Sequence, residues 1–210
     1  MIKVVPFIYE DIDELYANTY LLIDESKHCV VIDPGKDYPG IINYIKKNDL
    51  VLKAILLTHG HVDHMRGVDR IANELDVPLF IGFDDEEKLT DSYRNCSLLL
   101  GEDIVIKTKA ETLTDKQVLH FLSEDVIVIH TPFHTSGSVC YYLKNSQILF
   151  TGDFILPHGV GRTDLPSGMP KALSSSMAKI IALPPSTKIY GGHGPFSTLE
   201  MESKVNPFVK

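Results

Sequence analysis

Four metal-binding side chains lie within six residues, and this dense cluster restricts the fold of the chain more than any other feature. His59, His61, Asp63 and His64 follow the apolar residues 54–57, with only Thr58 between that run and His59. Imidazole nitrogens and carboxylate oxygens are the ligands that hold catalytic divalent ions, and so tight a polar cluster has no use in a hydrophobic core. The segment therefore predicts a metal site at the end of a strand.

Three later positions repeat the same chemistry, at His134, Asp153 and His193. Each follows an apolar, β-branched stretch and precedes a loop marked by glycine or proline, so each is predicted at a strand end. An isolated histidine or aspartate at such a place is usually a surface residue or a cap. Seven of them in one ordered pattern favour a shared site, and we expect these side chains to converge on one rim.

The ordered set HxHxDH, then H, D and H, resembles the metallo-β-lactamase superfamily, and within it the glyoxalase II (hydroxyacylglutathione hydrolase) branch. The similarity runs from the turn at residues 31–35 through His193. It implies an α/β fold, namely the four-layer αββα sandwich of the metallo-β-lactamase type, with the metals at one edge.

The resemblance also assigns the ligands of two divalent ions. The first ion takes His59, His61 and His134, the second takes Asp63, His64 and His193, and Asp153 bridges both. The ions would lie about 3.5–4 Å apart and share a hydroxide that attacks an acyl carbon, with Asp63 and Asp153 acting through it. Zinc is the expected metal, and iron or manganese would serve depending on supply.

The implied activity is thioester hydrolysis, with S-lactoylglutathione as the type of substrate. A thiolate leaving group has a conjugate-acid pKa of about 8.5, so it departs without a strong general acid. Arg162 lies in a tract, residues 159–164, that resembles the family's substrate-side loop, where a cation meets the glycine carboxylate of glutathione. An ion pair between Arg162 and Asp164 is the structural alternative.

Some positions depart from the family pattern or add to it. Phe133 and Arg66 replace family glycines, and we expect Phe133 to narrow the pocket mouth and Arg66 to add positive charge beside it. Asp33 either orients a ligand histidine or forms an ordinary turn. The C-terminal helical domain of full-length glyoxalase II is not expected. The chain is closer to short bacterial glyoxalase II-like hydrolases, which share its residues 161–164 and 206–208.

Other functions remain as alternatives on the same motif. A persulfide dioxygenase of similar sequence would use one iron and oxidise glutathione persulfide. β-Lactam hydrolysis follows from fold analogy alone, and a non-catalytic binding protein is disfavoured because no ligand is lost. A formal net charge of -8 argues against a nuclease, since nucleic-acid binding needs a basic surface.

Composition indicates one domain, residues 1–210, with 44% hydrophobic residues. No apolar stretch reaches the length of a membrane helix. The first eighteen residues carry Glu10, Asp11, Asp13 and Glu14 and no long apolar run, and three cysteines at irregular spacing predict no disulfide framework. We therefore expect a cytoplasmic enzyme with a small-molecule thioester substrate and no membrane or nucleic-acid partner. The sequence leaves the oligomeric state open.

Hydrophobic periodicity gives the expected elements. Strands are predicted at residues 2–8, 19–23, 29–33, 52–58, 78–81, 118–122, 125–130, 139–143, 147–151 and 188–190. Helices are predicted at residues 39–47, 67–75, 84–89 and 171–183, and residues 91–101 give no clear pattern.

Overall fold

Two six-stranded sheets pack face to face in the computed structural model, which describes residues 1–9, 15–36 and 39–209. The first sheet contains β1 (Lys3–Phe7), β2 (Thr19–Ile23), β3 (His28–Ile32), β4 (Val51–Leu56), β5 (Leu79–Gly82) and β6 (Ala110–Leu113). The second contains β7 (Val118–Leu119), β8 (Val126–His130), β9 (Val139–Leu143), β10 (Ile148–Gly152), β11 (Lys188–Gly191) and β12 (Ser197–Thr198). The four acidic residues near the N-terminus lie outside the described residues.

Helices lie between the strands and near the C-terminus. They are α1 (Pro39–Lys47), α2 (Val62–Met65), α3 (Val68–Leu75), α4 (Leu173–Ile181) and α5 (Leu199–Val205). Three 3₁₀ helices occupy Phe83–Thr90, Ser97–Leu100 and Pro170–Ala172.

Strand direction differs between the halves of each sheet. In the first sheet β1, β2 and β3 are antiparallel neighbours, whereas β3 to β6 run parallel. In the second sheet β7 to β10 are antiparallel, β11 joins β10 in parallel, and β12 closes the edge antiparallel to β11. Parallel neighbours end at the same edge of a sheet, so their carboxyl-terminal loops meet there.

Three apolar clusters build four layers. The central cluster fills the space between the sheets, with Leu22, Leu56 and Val128 among its fully buried members. Ile41 and Ile71 bring α1 and α3 onto the outer face of the first sheet. Met177 and Leu199 bring α4 and α5 onto the outer face of the second sheet. This arrangement confirms the predicted αββα sandwich.

Periodicity located the longer elements and missed the short ones. The predicted strand at residues 118–122 is two residues long, and the helix predicted at residues 84–89 is a 3₁₀ helix. Hydrophobic periodicity did not predict β6, β12 or α5. In the part of the chain that the structure describes, no helix is long and apolar enough to cross a membrane.

Candidate metal centre

Strand ends deliver the seven predicted ligands to one edge of the sandwich. The loop after β4 carries His59 and His61, and the short helix α2 that follows carries Asp63 and His64. The loops after β8, β10 and β11 carry the other three, His134, Asp153 and His193. The seven side chains therefore lie together, as the pattern of strand ends predicts.

His59, His61 and His134 form one group of candidate ligands, in which a nitrogen of each ring lies within 4.8 Å of the others. Nδ1 of His61 lies 2.9 Å from Nε2 of His134. The three rings meet one another nearly edge to face. Three imidazoles in this arrangement offer the number of protein donors that catalytic zinc sites use.

Asp63, His64 and His193 form a second group of candidate ligands. Oδ2 of Asp63 lies 3.2 Å from Nε2 of His193 and 3.8 Å from Nε2 of His64. The three donors come from α2 and from the loop after β11, so the tertiary fold is needed to assemble them.

Asp153 faces both groups with its two carboxylate oxygens. Oδ1 lies 3.3 Å from Nε2 of His64 and 3.6 Å from Nε2 of His193. Oδ2 lies 3.6 Å from Nε2 of His134, in the other group. This position fits a carboxylate that bridges two ions.

Unpartnered buried atoms in the cluster fit a bound cation. Nε2 of His59, His61 and His64 and Oδ1 of Asp153 are buried and have no hydrogen-bond partner. An unsatisfied buried polar group costs about 1–3 kcal/mol, more when charged, so such atoms need another partner. Coordination supplies one, and this donor set of imidazole nitrogens and carboxylate oxygens fits zinc, iron or manganese.

The environment keeps His59 and His61 of the first group neutral. Burial lowers the pKa of His59 well below its ordinary value, and the neighbouring His64 and His134 lower it further. Burial, together with His134, lowers the pKa of His61 to about 3. A neutral imidazole carries the lone pair that coordination requires.

Carboxylates dominate the electrostatics of the second group. Burial raises the pKa of Asp63 and of Asp153, but the surrounding histidines outweigh burial and both pKa values lie below the ordinary range. Burial lowers the pKa of His64 and His193, but the nearby carboxylates outweigh it and both pKa values are raised. The two carboxylates are therefore ionised and attract a cation. Metal binding has to displace protons from His64 and His193.

Asp33 orients His64, one of the candidate ligands. Its Oδ2 lies 2.9 Å from Nδ1 of His64, which leaves Nε2 of that ring facing the cluster. The same carboxylate accepts hydrogen bonds from the backbone N–H and the hydroxyl of Thr58, at 2.7 and 2.6 Å. Asp33 thus fixes both the ring and the start of the metal loop, as carboxylates around metal ligands commonly do.

The metallo-β-lactamase superfamily model matches residues 12–193, which include all seven candidate ligands. The chain belongs to the metallo-β-lactamase superfamily. The probable metallo-hydrolase YqgX of Bacillus subtilis is 34% identical over 197 residues, covering 93% of each chain. Hydroxyacylglutathione hydrolase GloC of Haemophilus influenzae is 29% identical, covering 91% of this chain and 92% of that protein. The chain is thus related to metal-dependent hydrolases over nearly its whole length.

Solved structures of the superfamily have the same fold. The BLEG-1 B3 metallo-β-lactamase superposes with a TM-score of 0.91 at 35% identity and covers 100% of both chains. TTHA1623 in a di-iron-bound form gives a TM-score of 0.83 at 31% identity, over 97% of this chain and 99% of that one. ETHE1 from Myxococcus xanthus, with a TM-score of 0.78 at 23% identity, shows the fold alone.

A buried aspartate joins two of the loops that carry candidate ligands. Asp85, in the 3₁₀ helix Phe83–Thr90, is fully buried. Its Oδ2 accepts the N–H of Gly60, between two ligand histidines, at 2.9 Å, and the hydroxyl of Thr135, beside His134, at 2.7 Å. One carboxylate therefore fixes the loop after β4 relative to the loop after β8.

Lys88 extends this link to a third loop. Its side chain is also fully buried, with Nζ 3.5 Å from Oδ1 of Asp85 and donating a hydrogen bond to Oγ of Ser167 at 2.6 Å. A Cβ on Gly60 would lie 2.7 Å from the Lys88 side chain, so only glycine fits between them without a shift. No local sequence pattern marks either residue, because their partners lie far away along the chain.

The C-terminal helix holds the loop that follows Asp153. Asn206 donates from Nδ2 to the carbonyl oxygen of Gly159 at 2.8 Å, and Oε2 of Glu202 accepts the N–H of His158 at 3.0 Å. Further along this loop, the carbonyl oxygen of Arg162 lies 2.7 Å from Nδ1 of His134. Asn206, the first residue of the family feature at 206–208, thus binds the same loop whose later residue Arg162 contacts a candidate ligand ring.

A cavity of about 360 Å³ opens on the metal centre, and its lining includes ligand side chains together with Arg162 and Cys96. Arg162 is largely exposed and pairs with both oxygens of Asp164, each at 2.6 Å. The ion pair between Arg162 and Asp164, the structural alternative to substrate binding, is therefore present. Burial raises the pKa of the Cys96 thiol to about 11, so this thiol is protonated and is not an activated nucleophile.

The two replacements of family glycines have different outcomes. Phe133 is buried and packs against Phe154 in the cluster beneath α4, so the expectation that it narrows the pocket mouth is wrong. Arg66 pairs with Glu102 and lies over the ring of Tyr16. Its charge is compensated by that carboxylate, and neither replacement is among the described residues that line the cavity.

Proposed function

We propose that this chain is a thioester hydrolase of the glyoxalase II type, acting on S-acyl-glutathione thioesters such as S-lactoylglutathione. The observation that supports the proposal most is the convergence of the complete ligand set beside a cavity large enough for an acyl group. Membership of a family of metal-dependent hydrolases supports hydrolysis as the reaction class. The relative GloC is named a hydroxyacylglutathione hydrolase.

His59, His61 and His134 would hold the first ion, Asp63, His64 and His193 the second, and Asp153 both. Two divalent ions, zinc in the first instance, would supply an activated water and polarise the acyl oxygen. The chain's part is to hold the imidazoles and the ionised carboxylates in place, through the hydrogen bonds of Asp33 and Asp85. A cytoplasmic location and a small-molecule substrate remain predictions.

The cavity lining favours a good leaving group. Apart from the candidate ligands, the titratable side chains that the structure describes in this lining are Arg162 and Cys96, and the pKa of Cys96 is about 11. Neither is tuned as a general acid for neutral pH, whose pKa would lie near 7. A thiolate departs without protonation, whereas the amine released from an amide requires a proton. This difference supports a thioester substrate.

Arg162 would bind a carboxylate of the thiol carrier. It is the one cation among the described residues of the lining, and its planar guanidinium matches a carboxylate with two parallel hydrogen bonds. The guanidinium already binds the exposed carboxylate of Asp164 in this way, so a substrate carboxylate has to compete with Asp164.

β-Lactam hydrolysis is a second candidate, because BLEG-1, described as a B3 metallo-β-lactamase, covers the whole chain at 35% identity. Persulfide dioxygenase activity, with a single iron, is the other reaction that the ligand motif accommodates. These reactions differ in their products and in their use of oxygen, so one panel of assays separates them.

The test is a comparison of three reactions on protein reconstituted with zinc, iron or manganese. Thiol release from S-lactoylglutathione that is abolished by a chelator and restored by metal is the expected result. Hydrolysis of a chromogenic cephalosporin without thioester cleavage would favour the lactamase. Oxygen consumption with glutathione persulfide, together with no thioester cleavage, would replace the hydrolase with the dioxygenase.

A further inference from the structure

The walls of the catalytic cavity are aliphatic. Beyond the candidate ligands, Arg162 and Cys96, they include Val62, Leu99, Leu100, Leu156, Val160 and Leu165. These side chains come from α2, from the 3₁₀ helix Ser97–Leu100 and from the loop after β10. Apolar walls built from several separate segments contribute hydrophobic contact to whatever occupies the cavity.

Three leucines that line this cavity are strongly exposed. Leu15 is 55% accessible, and the adjacent Leu99 and Leu100 are 60% and 46% accessible. An exposed large apolar side chain is unremarkable alone, but contiguous ones at the mouth of a cavity mark a binding surface. Leu98, next to them, is 49% accessible yet is not among the residues that line the cavity.

The leucine-bearing segment is fixed to the metal loop by hydrogen bonds. Asn95 is fully buried, its carbonyl accepts the N–H of Val62 at 2.9 Å, and its side chain bonds to Ile104 and Ser97. Val62 is the residue between His61 and Asp63. The leucines are therefore held at a set distance from the ligands, as a wall that recognises a substrate chain has to be.

The cavity wall offers one cation for a carboxylate of the thiol carrier, and the rest of the described wall beyond the candidate ligands is mainly apolar, which fits an uncharged acyl chain. Glutathione carries two carboxylates and one ammonium group, whereas the described lining supplies one cation beyond the ligand cluster, already paired with Asp164. A lactoyl group is small and carries a hydroxyl, so it has little apolar surface to bury against these aliphatic walls.

We propose that this cavity binds an aliphatic acyl chain longer than a lactoyl group, so that thioesters of straight-chain carboxylic acids are the favoured substrates. The inference rests on the proposed thioester hydrolysis for its reaction, but the binding preference belongs to the cavity itself. Each methylene moved from water into the cavity should strengthen binding roughly threefold to fourfold, from about 0.8 kcal/mol per buried methylene.

The test measures binding without hydrolysis. Calorimetry on the metal-loaded protein with S-methyl-, S-butyl-, S-hexyl- and S-octylglutathione, which are thioethers and cannot be hydrolysed, should show affinity rising with chain length. Leu99→Asn and Leu165→Asn should each reduce the increment per methylene by half or more. Leu98→Asn, the matched exposed leucine outside the lining, should leave it unchanged.

A flat affinity across the thioether series would overturn the inference. An equal effect of Leu98→Asn and Leu99→Asn would also overturn it, because the leucines would then be a general apolar surface. Rates on the matching S-acetyl, S-butanoyl and S-octanoyl thioesters separate the two proposals. If the thioethers bind in order of length and no thioester is cleaved, the proposed hydrolysis fails while the assignment of the cavity stands.

Discussion

Oδ2 of Asp33 lies 2.9 Å from Nδ1 of His64, and both side chains are buried beneath the metal centre. The contact holds the ring so that Nε2 faces Asp153, and it raises the pKa of His64 against the effect of burial. A carboxylate that binds the other nitrogen of a ligand histidine orients the ring and raises its basicity.

Asp33→Asn should weaken metal binding roughly tenfold to a hundredfold, the usual effect of losing such a partner. The amide keeps the size of the side chain but loses the charge that stabilises the imidazole orientation. Competition with a chromophoric chelator measures the affinity, and Asp69→Asn, remote from the cluster, is the control. Equal affinities in wild type and Asp33→Asn would show that Asp33 serves the turn alone.

The buried pair of Lys88 and Asp85 should contribute to stability chiefly through charge balance. Lys88→Met leaves the Asp85 carboxylate buried and unpaired, and the free energy of unfolding should fall by about 3–5 kcal/mol. The double variant Lys88→Met/Asp85→Asn removes both charges and should recover much of that loss. Urea unfolding checks both, and a Lys88→Met variant as stable as wild type would mean that the hydrogen bonds to Asp85 suffice.

Arg162→Ala should raise KM for S-lactoylglutathione far more than it lowers kcat, because remote charge pairing contributes mainly uniform binding. Since the guanidinium must leave Asp164 to bind substrate, we expect about a tenfold loss in kcat/KM, the lower part of the range for a charged hydrogen bond. Asp164→Asn should lower KM, because it removes the competitor. Unchanged KM in both variants would assign Arg162 a structural role.

The lowered pKa of Asp69 should make the free energy of unfolding decrease in acid. Burial raises the pKa of its carboxyl, but hydrogen bonds from the hydroxyl of Thr108 and the N–H groups of Lys107 and Thr108 outweigh burial, so the pKa is lowered. A lowered pKa in the folded state stabilises the protein above the unfolded pKa of about 3.9, and the benefit disappears as pH falls through the folded value.

Asp69→Asn should therefore lower the free energy of unfolding near pH 7 by about 1 kcal/mol or less, because the group is only partly buried and solvent screens its charge. The difference from wild type should shrink as the pH falls below 4. Denaturant unfolding at several pH values measures it, with the exposed Asp103→Asn as the matched control. If the difference in the free energy of unfolding between wild type and Asp69→Asn stays constant down to pH 2.5, the charge of Asp69 is not its source.

The convergence of the seven candidate ligands could be predicted because four of them form a local motif and because strand ends are visible in hydrophobic periodicity. His59 and His61 are two residues apart, and Asp153 follows a clear apolar run. Asp33 was also found, since its turn resembles a family feature. The fold class followed from the same resemblance and is confirmed by the two packed sheets.

What sequence reasoning missed depends on contacts between distant residues. Asp85 and Lys88 lie in a segment whose sequence predicts only a short helix, because their partners Thr135 and Ser167 are far along the chain. Phe133 was misplaced for the same reason, since its contact with Phe154 exists only in the folded state. The short strand β12 has no periodicity to detect and depends on its neighbour β11.

Metal content per chain, determined by elemental analysis after reconstitution and removal of loosely bound ions, tests the binuclear centre most directly. Wild type should hold about two divalent ions, as a two-metal hydrolytic site requires, and Asp153→Ala should lose ions and activity together while the fold persists. A wild-type protein that saturates with one ion, whose content and activity are unaffected by His193→Ala, would contradict the second set of ligands and with it the binuclear site.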